Sequence, residues 1–266
     1  SYSVTGVQTC ALPIYRALYR QPLIGDRLYT DYYAKTYQVN NKDYPEFEEP
    51  TNAEFDLYAT NQDKLALAWN LLLAINQFSS YWAFLKFLLR QRIKIAYTSP
   101  DSPKPILLNA NFRTNYEAAL ISFQRQELDK IVRSLQISEP ISYGLIPKSQ
   151  YLVKMAESKA ILSPFGWGEV CYRDYEAFAA GAALIKPAME HLDTWPNIYL
   201  PNKTYFPLEW KVDTWGQTLG KLLSDKKQMT NIARQGQEVF QNLWSEQGKQ
   251  EFCEHFLKLV AMVAKD

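Results

Sequence analysis

Histidine and cysteine are scarce, with 2 His and 3 Cys in 266 residues. His191 and His255 alone do not make a histidine-built metal centre. Cys10, Cys171 and Cys253 are too few and too far apart for a disulfide framework or a zinc cluster. Cysteine usage of this kind fits a reducing, cytoplasmic compartment. A charge excess is also lacking: 29 Lys and Arg oppose 28 Asp and Glu, for a net +1. Bulk electrostatics therefore give no argument for a nucleic-acid partner. Residues 1–14 carry no Lys or Arg, and polar residues interrupt their apolar stretches, so neither a secretory signal nor a mitochondrial presequence fits. Long uncharged runs are absent but for Leu65 to Leu85, LALAWNLLLAINQFSSYWAFL. Its length would span a bilayer. Asn70, Asn76, Gln77, Ser79 and Ser80 oppose insertion, so a buried or interfacial helix is expected, with at most peripheral membrane contact.

What is present is an ordinary globular composition, 47% hydrophobic and 21% charged, rich in aromatics at 14%. One stretch stands apart. Val4 to Ile14 reads VTGVQTCALPI. It is identical to the translation of a common short-read sequencing adapter, and the leftover base requires the next codon to begin with T, as a Tyr15 codon does. Residues 1–14 are therefore expected to be an adapter-derived artefact, set aside from fold reasoning together with Cys10. The expectation that follows is a gene cut near Tyr15, with part of an N-terminal domain lost. Residues 15–97 then read as a remnant of that domain with its connecting helices. TSPDSPKP, residues 98–105, reads as a linker.

Beyond it the pattern is regular. Apolar runs at 106–112, 141–145, 160–165 and 182–187 read as strands. Helices are expected at 115–135, 149–158, 169–181, 212–225, 228–244 and 246–266. Ala119, Phe123, Ile131 and Leu135 mark the apolar turns of the first, Ser149 is a candidate N-cap of the second, and Gly181 closes the third. Residues 197–208 read as short extended pieces. Strands alternating with helices imply an α/β, Rossmann-like parallel sheet flanked by helices, spanning 98–245. Ligands of such sheets bind at the carboxyl ends of the strands.

The informative segment runs from Leu162 to Tyr199. A strand is followed by the Gly166-Trp167-Gly168 loop and a helix. Exposed N–H groups at such a helix start favour an anion such as phosphate. The glycines allow close approach of a ligand. Glu169, Arg173 and Glu176 are spaced to share one helical face. A carboxylate can accept both hydroxyls of a ribose, and a guanidinium can hold phosphate oxygens. A solvated salt-bridge stripe would have the same spacing. Lys186 ends a strand at the ligand edge, and His191 lies in the next loop, where it could act on a sugar or acceptor. His255 reads as structural and Cys171 as a small buried residue.

SPFGWGEVCYRDYEAFAAGAALIKP resembles the donor-site segment of the group 1 glycosyltransferases of GT-B fold. That pattern is a Pro-Ser-like strand end, a glycine loop, then Glu-Ala-x-x-x-Gly before an apolar strand, and Trp195-Pro196 continues it. The resemblance covers about residues 104–245. It implies the donor-binding C-terminal domain of a bacterial glycosyltransferase. A nucleotide-diphospho-sugar would be its substrate and a glycan or lipid-linked molecule its acceptor, as in surface polysaccharide synthesis, and no separate cofactor is implied. By the same resemblance Glu176 matches the glutamate that holds the donor ribose. Arg113 matches the basic residue at the diphosphate, and loop 165–169 lies beside the transferred sugar. Many retaining relatives carry two glutamates eight positions apart, whereas Glu169 precedes Glu176 by seven, which leaves the stereochemical outcome open. No acidic pair of the DxD type stands at a strand end, so no metal is expected. Two further readings are a GT-B-like sugar-nucleotide epimerase and a non-catalytic sugar-nucleotide or glycan-binding module.

Overall fold

The computed structural model describes residues 95–116, 119–166, 169–190, 194–209 and 212–263. The expectations for 1–14, for 15–94 and for the Leu65 to Leu85 run lie outside these residues. Five strands form one parallel sheet: β1 Ile106–Ala110, β2 Ile141–Tyr143, β3 Ser158–Leu162, β4 Ala183–Pro187 and β5 Tyr205–Leu208. Their order is β2-β1-β3-β4-β5, the α/β Rossmann-like arrangement expected from the sequence. The helices are α1 Ala119–Ser134, α2 Lys148–Ala156, α3 Tyr172–Ala179, α4 Trp215–Ser224, α5 Lys226–Leu243 and α6 Glu246–Val263. No described helix is long and apolar enough to cross a membrane.

Right-handed crossovers fix the layers. The chain leaves β1 for β2 in one direction, then passes back over β1 to β3 and on to β4. Helix α1 therefore lies on one face, and α2 and α3 on the other. Strand order reverses between β1 and β3, so a crevice opens there at the carboxyl edge. β1 and β4 are buried along their whole length, as central parallel strands require. Leu108, Ala160, Leu184 and Ile185 are completely shielded from solvent, with Tyr205, Trp215, Leu219 and Phe240 closing the core around them. Burying a side chain of this size contributes about 1.5–3 kcal/mol against exposure.

The end of α3 shows why the chain turns where it does. Gly181 has φ +58 and donates its N–H to the Phe178 carbonyl, while the Ala182 N–H reaches back to Ala177. This pair of bonds is a Schellman closure. A Cβ on Gly181 would come within 2.2 Å of the Thr98 carbonyl oxygen, so both the conformation and the space demand glycine. The turn feeds directly into β4.

Several sequence expectations shift. The buried face of α1 is Ile121, Gln124, Arg125, Leu128 and Val132. Phe123, Ile131 and Leu135 are only half-buried. The buried face of this helix thus carries an arginine and a glutamine beside its apolar residues. Helix α2 begins at Lys148, behind Pro147, and Ser149 is not its cap. Helix α3 begins at Tyr172, not at residue 169. Cys171 is extended at φ −114, ψ 149, and the Asp174 carboxylate accepts its N–H, so the first helical turn cannot start earlier. Of residues 197–208, only 205–208 form a strand.

Candidate functional site

Four segments meet at the carboxyl edge of the sheet: the loops after β1, β2 and β3, and the first turns of α3. Arg125 of α1 ties two of them together. Its guanidinium donates to the Phe165 and Pro164 carbonyls of the β3 loop and, at 2.7 Å, to the Arg113 carbonyl of the β1 loop. It also stacks over Tyr116 at 4.3 Å. Arg125 is 5% exposed. Charge-assisted bonds to three carbonyls satisfy a cation that would otherwise be costly to bury. Gln124 beside it accepts the Phe165 N–H at 2.8 Å. The sequence reading missed both residues. Their signal was present: a polar pair on the face set by Ile121, Leu128 and Val132.

The second assembly is anchored by α3. Asp174 is fully buried and accepts from the Ser163 hydroxyl, the Tyr199 hydroxyl, the Cys171 N–H and the Lys186 ammonium. Lys186 lies 3.1 Å from this carboxylate and is also fully buried. It stands near the carboxyl end of β4, as expected, with its ammonium turned to Asp174. β4 continues through Pro187 and is buried on both faces, so Lys186 is shielded whichever face it takes. There its charge is neutralised by Asp174 and its ammonium sits 5.0 Å from the Phe165 ring centre. Asp174 was the third residue missed. Its role as a helix-start acceptor is local, but its four donors come from four places in the chain.

The third assembly is different in kind. Arg173 donates to the Asn111 carbonyl at 2.7 Å through one nitrogen, and its other terminal nitrogen is buried without a hydrogen-bond partner. Glu176, one turn later, accepts the Tyr151 hydroxyl at 2.7 Å on one oxygen, and its other oxygen is buried without a partner. The Arg173 guanidinium lies 5.4 Å from the Tyr151 ring centre. Burial pushes the Glu176 carboxyl above its ordinary value; the Tyr151 bond and the Arg173 charge oppose the rise, and Asp174 adds to it. Burial also raises the Tyr151 phenol. Asn109 of β1 completes the group, with a wholly buried side-chain amide nitrogen that has no partner. Orphaned buried polar atoms cost free energy and call for an explanation. Three of them stand around the β1–β3 switch point.

The remaining expected residues are placed as follows. Arg113 is exposed and lines a cleft of about 480 Å³ with Phe112, Asn115, Arg133 and Leu145, over the ends of β1 and β2. Gly166 lies beside Arg125, and a Cβ there would stand 3.4 Å from its guanidinium. Glu169 is 3% exposed and precedes α3, so only Arg173 and Glu176 share the helix. Trp167, Gly168 and His191 lie outside the described residues. Cys171 is half-buried at the start of α3 and burial raises its thiol, which makes it a poor nucleophile. His255 of α6 stacks on Trp195 with ring centres 4.0 Å apart. Among the described residues no cluster of three His, Cys, Asp or Glu side chains could hold a metal ion.

No family model matches this chain, and no curated protein does. Among solved structures it is similar to TarM of S. aureus, at 11% identity and a TM-score of 0.43, over 82% of this chain and 48% of TarM. It is also similar to the C-terminal domain of a group 1 glycosyl transferase, LpcC, from Francisella tularensis, at 16% identity and a TM-score of 0.36 over 57% of this chain and 97% of that one. Sucrose-phosphate synthase from Thermosynechococcus elongatus is similar at 13% identity and a TM-score of 0.38, over 79% and 57% of the two chains. The chain thus spans about half the length of TarM.

Proposed function

We propose that this chain carries the donor-binding half of a glycosyltransferase, which moves a sugar from a nucleotide-diphospho-sugar to a glycan or lipid-linked acceptor. The observation that carries the reading is the buried Glu176, with one oxygen orphaned, on the helix that follows the glycine loop at the switch point. A donor ribose supplies the hydroxyls such an oxygen lacks. Arg173, one turn away with its own unpaired nitrogen, supplies a donor for an oxygen of the same ligand. Arg113, exposed at the cleft mouth, and the start of α3 offer positive potential to the diphosphate.

In this reading the protein stabilises the leaving nucleoside diphosphate with fixed positive groups, which is where charge develops as the glycosidic bond breaks. Glu169 and His191 are the candidates for contact with the transferred sugar or the incoming acceptor. The acceptor side would lie across the crevice from this sheet. Surface polysaccharide synthesis in bacteria is the setting that the donor-segment resemblance suggests.

Calorimetry with UDP, GDP and ADP tests the reading directly. One of the three is expected to bind the wild type, and Glu176→Gln is expected to weaken it by about tenfold or more, the loss of a hydrogen bond to a charged group. Equal binding by both proteins would remove Glu176 from the donor site. Absence of binding by all three would sink the donor reading.

A further inference from the structure

Tyr151 touches both Arg173 and Glu176, the two residues of α3 that carry an orphaned polar atom at this site. It sits in the first turns of α2, which packs beside α3. Its hydroxyl donates to Glu176 at 2.7 Å, and its ring faces the Arg173 guanidinium at 5.4 Å. Arg173 and Glu176, one turn apart on α3, form no ion pair with each other. Without Tyr151, the shortest route to satisfying both would be for the guanidinium to swing onto the carboxylate. That pairing would use up the oxygen and the nitrogen that are now unpartnered. The hydroxyl occupies one carboxylate oxygen, and the ring faces the guanidinium.

We propose that Tyr151 is the positioning residue of this site: it pins one oxygen of Glu176 and screens Arg173 from it, so that the other oxygen stays available to read the vicinal diol of a ribonucleoside diphosphate. The proposal rests on the donor reading above and adds to it a residue on a separate helix that sets ribose recognition. Glu176 then owes its reading state to α2 as much as to α3. The charged and titratable neighbours that act on Glu176 are Tyr151 from α2 and Arg173 and Asp174 from its own helix. Removing the Tyr151 hydroxyl takes away a bond that favours the ionised carboxylate, so the carboxyl would titrate at higher pH.

The test compares UDP, GDP and ADP with their 2′,3′-dideoxy counterparts, by calorimetry over the acid-to-neutral range. Wild type is expected to prefer the ribonucleotide by about tenfold, the scale of one charge-assisted hydrogen bond. Tyr151→Phe is expected to bind the dideoxy compound as wild type does while losing most of that preference. The preference that remains should disappear at a higher pH than in wild type. A site-specific 3-fluorotyrosine at position 151 keeps the ring and strengthens the donor, and should move the same pH limb downward; it serves also if Tyr151→Phe does not fold. An unchanged preference and pH limb in these variants would overturn the role of Tyr151 and leave the donor reading standing. A wild type that binds ribo and dideoxy compounds equally would overturn the donor reading itself.

Discussion

The two ends of the α2–α3 pair differ in how they satisfy buried polar groups. At the amino edge, Lys104 is 7% exposed and its ammonium donates to Ala156 and Ala180, each at 2.7 Å. These are carbonyls at the ends of α2 and α3, where helix dipoles are negative. One lysine closes both helices. Around it, in a cavity of about 230 Å³, lie Lys159 and Lys226, both paired with Glu139. Toward the carboxyl edge, the same two helices carry Tyr151, Arg173 and Glu176, and there buried polar atoms of Arg173 and Glu176 lack partners. One end of the α2–α3 pair is saturated and the other is left open. Full satisfaction builds stability, and the open valences are what a ligand can fill. Trp244, at the end of α5, also buries an unpaired N–H, and nothing in the structure explains it.

If the saturated parts hold the fold and the open parts hold the ligand, substitutions should separate the two. The largest effect is expected from Asp174→Ala. It leaves the Lys186 ammonium buried without its partner and releases Ser163, Tyr199 and the start of α3. Loss of about 3–5 kcal/mol in chemical denaturation is expected. Replacing the pair together, Asp174→Leu with Lys186→Met, should recover part of that loss, because no lone charge remains. A double variant no more stable than Asp174→Ala would show that the pair's geometry matters more than its charge.

Lys104→Met should cost less, about 1–2 kcal/mol at neutral pH, for two carbonyls left without a donor. Its pH dependence is more telling. Burial pushes the Lys104 ammonium down to about 8, below the 10.5 of a free lysine. Between those values the unfolded chain holds more protons than the folded one, so this group makes stability rise with pH. A neutral amine still has two N–H groups for its two carbonyls, so deprotonation breaks neither bond. Stability curves against pH should show this rise in wild type and not in Lys104→Met.

Glu176→Gln should change stability least, within about 1 kcal/mol. The folded carboxyl titrates above its ordinary value. Its contribution to stability is therefore present at acid pH and lost as pH rises through the folded value. The variant should match or exceed wild type in thermal melts at neutral pH, with the gap closing toward acid. A large loss of stability would move Glu176 from the open edge to the saturated one.

The sequence made much of the fold legible. Apolar runs at 106–110 and 183–187, separated by amphipathic stretches, carry a strand-and-helix alternation strong enough to define the sheet. Gly181 was legible because one backbone conformation at a helix end favours one residue. Arg125 and Asp174 were not singled out in the sequence, and Lys186 was left between a ligand and a structural role. In a sequence a charged residue is assigned to solvent or to a ligand, since isolated burial is prohibitive. Each of these is buried because its partners arrive from distant segments: Phe165 and Arg113 for Arg125, Lys186, Ser163 and Tyr199 for Asp174. Helical spacing likewise grouped Glu169 with Arg173 and Glu176, until the Cys171 cap started α3 three residues later.

By itself, then, the sequence determined most of the elements and their parallel α/β arrangement, and it raised the expectation of a ligand at the carboxyl edge. Local propensity and hydrophobic period are short-range properties, and crossover handedness follows from chain chirality. Only the tertiary structure decided which charges are sealed and which stay open. That choice depends on which donors other parts of the chain bring to each carboxylate: Asp174 receives Ser163, Tyr199 and Lys186 besides its own helix start, and Glu176 receives one from Tyr151 and keeps one oxygen unspoken for.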